Sequence, residues 1–232
     1  MNKIFDDHLK NHYIRQYDLT SYFTKDMSQH LQLFSFSPGD YLYRDGDTLD
    51  YFFFFVDGKA KVYCRMANGK KLLLSFYEPL QILGDIEIFN DSKVNVDVKS
   101  LSKSYCIGLP INFVKSNLME DTLFLQKLCK GLGIKLNRCS TNSAINLLYP
   151  LENRLASYIM AIDHKSHNQE SVLTLYDSLT EISELLGTSY RHLHRTVTNF
   201  VSQGILKKAR KGYIVIDKSP LKNMAHDLYT NH

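Results

Sequence analysis

The stretch from Ser178 to Asp217 reads SLTEISELLGTSYRHLHRTVTNFVSQGILKKARKGYIVID. Ser178 and Glu181 have the spacing of a capping box, in which the two residues satisfy each other's backbone N–H groups, so a helix is predicted to begin there. Gly187 is predicted to make a sharp turn, and a second helix is predicted from Ser189 to about Gln203. The following letters, ILKKARKGYIVID, have the pattern of a short β-hairpin.

The second predicted helix has two chemically different faces. Leu193, Val197, Phe200 and Val201 recur at helical spacing and predict a buried apolar stripe. The opposite face carries polar and basic side chains: Ser189, Tyr190, Arg191, His194, Arg195, Thr198 and Asn199. A capped helix, a glycine turn, a polar second helix and a hairpin together are typical of a winged helix-turn-helix, whose second helix lies in the major groove of DNA.

Positive charge is concentrated in the same part of the chain. Between Gly187 and Lys218, seven basic residues and one acidic residue give a net charge of +6, against +4 for the whole chain. The basic residues are Arg191, Arg195, Lys207, Lys208, Arg210, Lys211 and Lys218. Such a patch is the expected electrostatic signature of a nucleic-acid site, although basic patches also occur as ordinary solvated surface.

Position along the segment suggests a role for each side chain. Arg195 is predicted to contact guanine through both arms of its guanidinium, while Tyr190, Arg191 and His194 are predicted to reach base edges. Phosphate contacts, which orient the protein without reading sequence, are predicted for five residues. These are Ser189, His192, Lys207, Lys208 and Lys211.

The earlier part of the chain has a different periodicity. From about Leu31 to Leu109, short runs of aromatic and β-branched residues alternate with turn signals such as Asp57-Gly58, which predicts a β-sandwich or jelly roll. A long helix is predicted from about Glu120 to Leu147, ended by Pro150, with a further helix beginning at Leu151. Its apolar seam consists of Leu125, Leu128, Leu132, Leu136 and Cys139. The seam could pack on the sandwich or against a second subunit.

These patterns predict an α+β fold with three parts. We expect residues 1–119 to form an N-terminal β-roll that acts as an effector or sensor domain. Residues 120–149 are expected to form a long central dimerisation helix, and residues 150–232 a winged helix-turn-helix domain. A chain of 232 residues is long enough to form two hydrophobic cores of its own.

Composition excludes several classes of protein. No apolar run approaches the roughly 18 residues of a membrane helix, and the first residues do not resemble a secretory signal, so we expect a cytoplasmic protein without membrane contact. No nucleophile motif or nucleotide-binding glycine loop is present, so no enzymatic activity and no cofactor are predicted.

The four cysteines have no metal-binding spacing, so no metal site is predicted. They are Cys64, Cys106, Cys129 and Cys139. Buried reduced thiols are the simplest interpretation. A redox role for the Cys129 and Cys139 pair is an alternative, because both lie on the predicted long helix.

The order of sandwich, long helix and winged helix-turn-helix, together with GTSYRHLHRTVTNFVSQGIL, resembles the CRP/FNR family of bacterial transcription regulators. The segments MEDTLFLQKLC, LLGTSYRHLHR and KKARKGYIVID are similar to the YeiL-type branch of that family. Ser189 and Arg195 fit the spacing at which the family's recognition helix opens. The resemblance implies a cyclic-nucleotide-binding-like β-roll, a homodimer formed through the central helix, double-stranded DNA as the ligand, and RNA polymerase as a partner.

The resemblance also locates an effector pocket. Family members that bind cyclic AMP have a Gly-Glu pair followed by an Arg-Ser pair, whereas this chain has Gly84-Asp85 and then approximately Asn95-Val96. No arginine occurs between Arg65 and Arg138, and the iron-sulfur cysteines of other members are missing, so neither cyclic AMP dependence nor oxygen sensing is expected. Four residues would line the pocket, or would simply be polar turn residues: Asp85, Glu87, Lys93 and Asn95.

What the β-roll does is left open by the sequence. It could hold another, unknown small molecule, respond through a cysteine, or serve only as a scaffold. We therefore predict a sequence-specific DNA-binding regulator that acts as a dimer on an inverted-repeat operator. The alternative is a ligand-binding or interaction module whose C-terminal winged helix binds protein.

Overall fold

The computed structural model describes residues 1–90, 93–162, 178–210 and 212–225. The chain divides into two compact units. The first consists of Met1–Val62 and Tyr77–Cys139, and the second of Tyr63–Phe76 and Ser140–His232. The predicted α+β class is confirmed, because strands dominate the N-terminal half and helices the C-terminal half. Within the described ranges, no helix is both long and apolar enough to cross a membrane.

The strands of the N-terminal half form two sheets. They are β1 (Asn2–Ile4), β2 (Gln32–Phe36), β3 (Tyr41–Tyr43), β4 (Tyr51–Asp57), β5 (Ala60–Arg65), β6 (Lys71–Tyr77), β7 (Gln81–Leu83), β8 (Asp97–Ser100) and β9 (Ser104–Pro110). One sheet has the order β1-β2-β9-β4-β7 and the other β3-β8-β5-β6. Strand β9 pairs antiparallel with both β2 and β4, placing Phe53 opposite Gly108. The predicted β-roll is confirmed.

Strand β4 contains four consecutive phenylalanines because both of its faces are buried. Phe52 and Phe54 face a core that also contains Phe124. Phe53 points to the other face, where its ring centroid lies 5.3 Å from that of Phe34. Alternate side chains of a strand point in opposite directions, so an unbroken aromatic run requires burial on both sides.

The helices are α1 (Asp7–Gln16), α2 (Glu87–Asn90), α3 (Ile111–Asn117), α4 (Thr122–Leu148), α5 (Leu151–Ile162), α6 (Leu179–Leu185), α7 (Tyr190–Ser202) and α8 (Ser219–Ala225). A short 3-10 turn occupies Leu19–Tyr22. The long helix α4 begins after Asp121, whose carboxylate accepts hydrogen bonds from the backbone N–H groups of Leu123 and Phe124, both at 3.1 Å. The predicted long central helix and the helix after Pro150 are both confirmed.

The apolar seam predicted for α4 is divided along its length. Leu128 is completely buried in the core of the first unit, whereas Leu136 is 68% exposed. With 3.6 residues per turn, Cys129, Leu132 and Leu136 lie within about 60° of one another on the helix surface. Packing on the sandwich therefore accounts for the buried part of the seam, and a second subunit as the partner of the exposed part stays a prediction.

The second unit has its own hydrophobic core. Helix α5 packs against α8 and α7, and α7 packs against α6 and the strand β10 (Leu206–Lys208). Strand β11 (Tyr213–Val215) completes a two-stranded antiparallel sheet with β10. The fully or almost fully buried side chains are Leu155, Tyr158, Ile159, Ile182, Leu185, Leu186, Leu193, Val197, Phe200 and Leu221.

Candidate nucleic-acid interface

The helix α6 is fixed at its start by a reciprocal pair of hydrogen bonds. The Ser178 hydroxyl oxygen accepts from the backbone N–H of Glu181 at 3.2 Å, and the Glu181 carboxylate accepts from the backbone N–H of Ser178 at 3.1 Å. Two of the four N–H groups that a helix start leaves without partners are thereby satisfied. The predicted capping box is confirmed, and it sets where the buried face of α6 begins.

Replacing Ser178 with alanine is expected to lower the free energy of unfolding by about 1 kcal/mol, because the loss of an N-cap hydroxyl typically costs that much stability. Thr180→Ala is the matched control, since Thr180 is exposed on the same helix turn. Urea denaturation of both variants measures the difference. Equal stability of the two variants would show that the cap does not stabilise α6.

The turn between α6 and α7 is made by Gly187. Its φ of +60° lies in the left-handed region, which costs glycine nothing and other residues a steric penalty. Helix α7 then starts from Ser189, whose hydroxyl oxygen accepts a hydrogen bond from the backbone N–H of His192 at 3.2 Å. Because a serine hydroxyl both donates and accepts, its proton still allows the predicted phosphate contact.

Helix α7 separates apolar from polar residues as predicted. Leu193, Val197 and Phe200 are buried, and Val201 is partly buried. The residues of the predicted outer face are all exposed: Ser189, Tyr190, Arg191, His194, Arg195, Thr198 and Asn199. His192, predicted to contact phosphate, is exposed as well. No acidic residue occurs anywhere in α7, and Arg191 and Arg195 give this surface its positive charge.

The exposed side chains of α7 border a shared concave surface. A cavity of about 560 Å³ is lined by Ser189, Arg191, His192, His194, Arg195 and Thr198. The Tyr190 and His194 rings stack one helix turn apart, with centroids separated by 5.9 Å. The structure thus brings the predicted base-reading and phosphate-binding residues of the helix together on one face.

The predicted wing is present as the hairpin β10–β11. Leu206 pairs with Val215 and Lys208 with Tyr213, and the side chains of Lys207, Lys208 and Arg210 are exposed. The remaining predicted wing residue, Lys211, lies outside the described residues. The hairpin therefore exposes three positively charged side chains, of the kind that attracts DNA phosphates without reading sequence.

The four predicted effector residues occupy different environments. Asp85 and Glu87 are buried, whereas Lys93 and Asn95 are exposed. Burial raises the pKa of Glu87, and the nearby Asp85 carboxylate raises it further. The charge of the Asp85 carboxylate is already balanced within the chain, because both of its oxygens lie 2.8 Å from the Lys135 ammonium.

Lys135, a residue of α4, forms an ion pair with Asp85 that sequence reasoning missed. Its ammonium also donates to the backbone carbonyl of Ile82 at 2.5 Å, and 16% of its side chain is exposed. Burial opposes the charged form, but the Tyr77 and Asp85 groups beside it outweigh burial and raise the pKa of Lys135 above its ordinary value. No sequence signal links positions 85 and 135, because no recognisable motif contains both residues.

The cysteines do not form a pair within one chain. Cys129 and Cys139 are exposed on α4, and a separation of ten residues corresponds to about 15 Å along a helix. This exceeds the roughly 7 Å limit between Cα atoms that a disulfide can bridge. A redox role would therefore have to involve another molecule. Among the described residues, no group of three or more His, Cys, Asp or Glu side chains is arranged to hold a metal ion.

Comparison with known proteins places both halves in characterised families. Residues 33–121 match the cyclic nucleotide-binding domain family, and residues 153–224 match the Crp-like helix-turn-helix domain family. The chain is 32% identical over 206 residues to the regulatory protein YeiL of Escherichia coli O157:H7, covering 89% of this chain and 91% of that protein.

More distant relatives have the same architecture. A CRP-like cAMP-activated global transcriptional regulator of Mycobacterium tuberculosis is 21% identical, over 86% of this chain and 90% of that protein. The crystal structure of a CRP/FNR family transcriptional regulator from Thermus thermophilus superimposes with a TM-score of 0.66 at 18% identity, covering 84% of this chain and 98% of that one. At that identity the structural likeness establishes the fold alone.

Proposed function

We propose that this chain, which belongs to the CRP/FNR family of transcription regulators, is a sequence-specific regulator that binds an inverted-repeat operator as a homodimer. The observation that carries the proposal is the exposed outer face of α7, which has no acidic residue and is set by a capped helix and a glycine turn. A single recognition helix per subunit reads one half-site, so two-fold symmetry of the protein requires a palindromic target.

Within each half-site, we assign base reading to α7 and phosphate binding to its start and to the wing. Arg195 is exposed and carries the fixed two-armed donor geometry that matches the O6 and N7 acceptors of guanine. Tyr190, Arg191 and His194 contact neighbouring base edges. Ser189, His192, Lys207, Lys208 and Lys211 hold the backbone.

The test is selection of bound sequences from a random duplex pool, followed by affinity measurements on the selected operator and on random DNA. Arg195→Ala is expected to cost about 1–3 kcal/mol on the operator and to relax preference at one base pair per half-site. Lys208→Ala, the matched control in the wing, is expected to weaken both DNAs alike and to reduce the dependence of affinity on salt. Equal losses from Arg195→Ala on both DNAs would refute its role in base reading.

The same titrations separate DNA binding from the alternative of a protein-binding winged helix. Several phosphate contacts make affinity fall steeply with rising salt, because bound counterions are released. Failure to enrich any duplex at low salt, with or without added metabolites, would favour the protein-binding alternative.

We also propose that DNA binding does not depend on cyclic AMP. Asp85, at the position where cyclic AMP-binding relatives have glutamate, is neutralised by the chain's own Lys135, and no arginine between Arg65 and Arg138 is available to hold a cyclic phosphate. Adding cyclic AMP to an anisotropy titration of the selected operator is therefore expected to leave the affinity unchanged. A tightening of binding on addition of the nucleotide would contradict this prediction.

The remaining assignments follow from the family. Its members are regulators rather than enzymes, so we propose no catalytic activity for this chain and place its action in the cytoplasm, where the chromosome lies. RNA polymerase is the proposed partner at the promoter. We retain 1–119 as the sensor part, 120–149 as the dimerisation helix and 150–232 as the DNA-binding part.

A further inference from the structure

A cleft of about 250 Å³ opens in the first unit, between helix α4 and the start of strand β7. Leu80, Ile82 and Ile134 form its apolar walls, and the Tyr22 ring closes one side. The Asp85–Lys135 ion pair borders the same space. The volume exceeds that of a cavity of about 150 Å³, which is enough to hold benzene. The cleft therefore has room for a compact ring or short chain with a polar group attached.

The charges around the cleft favour an anion. Three ammonium groups, from Lys127, Lys130 and Lys135, face one carboxylate, Asp85. Lys135 forms an ion pair with Asp85, and in the described part of the chain no carboxylate pairs with Lys127 or Lys130. Lys127 is held in position by the Ser21 hydroxyl at 3.2 Å and lies 4.8 Å from the centre of the Tyr22 ring.

A glycine in the middle of α4 keeps the cleft open. Gly131 lines the cleft, although glycine is among the least favourable residues for a helix interior. Close packing does not require it, because an added Cβ would meet only the Cδ1 atom of Ile82 at 4.0 Å, an ordinary contact. A longer side chain at position 131 would take up space that the cleft now leaves empty.

We propose that this cleft binds a small organic anion, consisting of a carboxylate attached to a compact apolar body. The carboxylate interacts with the ammonium groups of Lys127 and Lys130, and the apolar body packs on Leu80, Ile82 and Ile134. Lysines bind a carboxylate as point charges and do not supply the two-armed geometry that a cyclic phosphate favours. The proposal goes beyond DNA binding and does not depend on it.

The cleft differs from the effector pocket that the family resemblance predicts. Of the four residues predicted for that pocket, Asp85 borders the cleft, while Glu87, Lys93 and Asn95 do not. Tyr22 and the two lysines Lys127 and Lys130, which line the cleft, lie outside the segment from Gly84 to Val96 in which the effector pocket was predicted.

The test is a ligand-observed NMR titration of the full chain with benzoate and with hexanoate. We expect both carboxylates to bind, and benzamide, the neutral counterpart of benzoate, to bind at least about tenfold more weakly because hydrogen bonds to charged groups are the stronger ones. The double variant K127Q/K130Q is expected to lose about tenfold or more in affinity for benzoate. Equal binding of benzoate and benzamide, or no binding of either carboxylate, overturns the proposal.

Two glycine variants separate filling of the cleft from a general change in the helix. Gly131→Met and Gly133→Met raise helix propensity alike, but Gly133 is exposed and does not line the cleft. We expect Gly131→Met to abolish benzoate binding and Gly133→Met to retain it, with both proteins folded as judged by their melting temperatures. Retention of binding by Gly131→Met at the affinity of the unmodified protein contradicts the assigned location.

Discussion

Replacing Lys135 with methionine is expected to destabilise the β-roll by about 3–5 kcal/mol, because the change leaves the Asp85 carboxylate buried without a counter-charge. Only 4% of the Asp85 side chain is exposed, so water cannot replace the lost ammonium. Both Asp85 oxygens lose a 2.8 Å contact, and the carbonyl of Ile82 loses a donor. Methionine matches the length of the lysine stem, so the missing charge, rather than a cavity, dominates the loss.

Urea denaturation of three further proteins identifies the cause. Lys130→Met removes an exposed lysine from the same helix and is expected to change stability by less than about 0.5 kcal/mol. Combining Lys135→Met with Asp85→Leu removes both charges and is expected to recover most of the lost stability, because a hydrophobic pair can replace a buried ion pair at little cost. Asp85→Leu alone should be destabilising, since it leaves the Lys135 ammonium without its carboxylate partner. If the double variant were as unstable as Lys135→Met, packing rather than charge would be responsible.

The elements that the sequence predicted are those whose signals are local. The capping box at Ser178 and Glu181 spans one helix turn, and the exposed face of α7 repeats every three or four residues, so both can be read from adjacent positions. The wing followed from the β-hairpin pattern of the short segment ILKKARKGYIVID. In each case the interacting groups lie within a few residues of one another along the chain.

The features that were missed depend on contacts between distant positions. Lys135 pairs with Asp85 across 50 residues, and the periodicity of α4 gives no information about the strand it meets. The same limit applies to the seam of α4, because sequence spacing alone could not show that Leu128 is buried while Leu136 is exposed. Gly131 and Gly133 also look alike in sequence, although only Gly131 lines the cleft.

Replacing Leu136 with lysine is expected to prevent dimer formation and to weaken binding to a full operator by about 100-fold or more. A two-fold interface along α4 would bring Leu136 close to its copy, so the variant places two positive charges in an apolar contact. A dimer binds its second half-site at a high effective concentration, and that advantage, typically 10²–10⁴-fold, is lost by a monomer. Sedimentation equilibrium and operator titrations measure the two effects separately.

Binding to a single half-site distinguishes loss of the dimer from damage to the DNA-binding surface. Leu136 lies in the first unit and every proposed DNA contact lies in the second, so Leu136→Lys should leave half-site affinity unchanged while full-operator affinity falls. Asn137→Lys adds the same charge at the next exposed position, about 100° around the helix, and should remain dimeric. If Leu136→Lys stays dimeric with full operator affinity, the subunits associate through another surface.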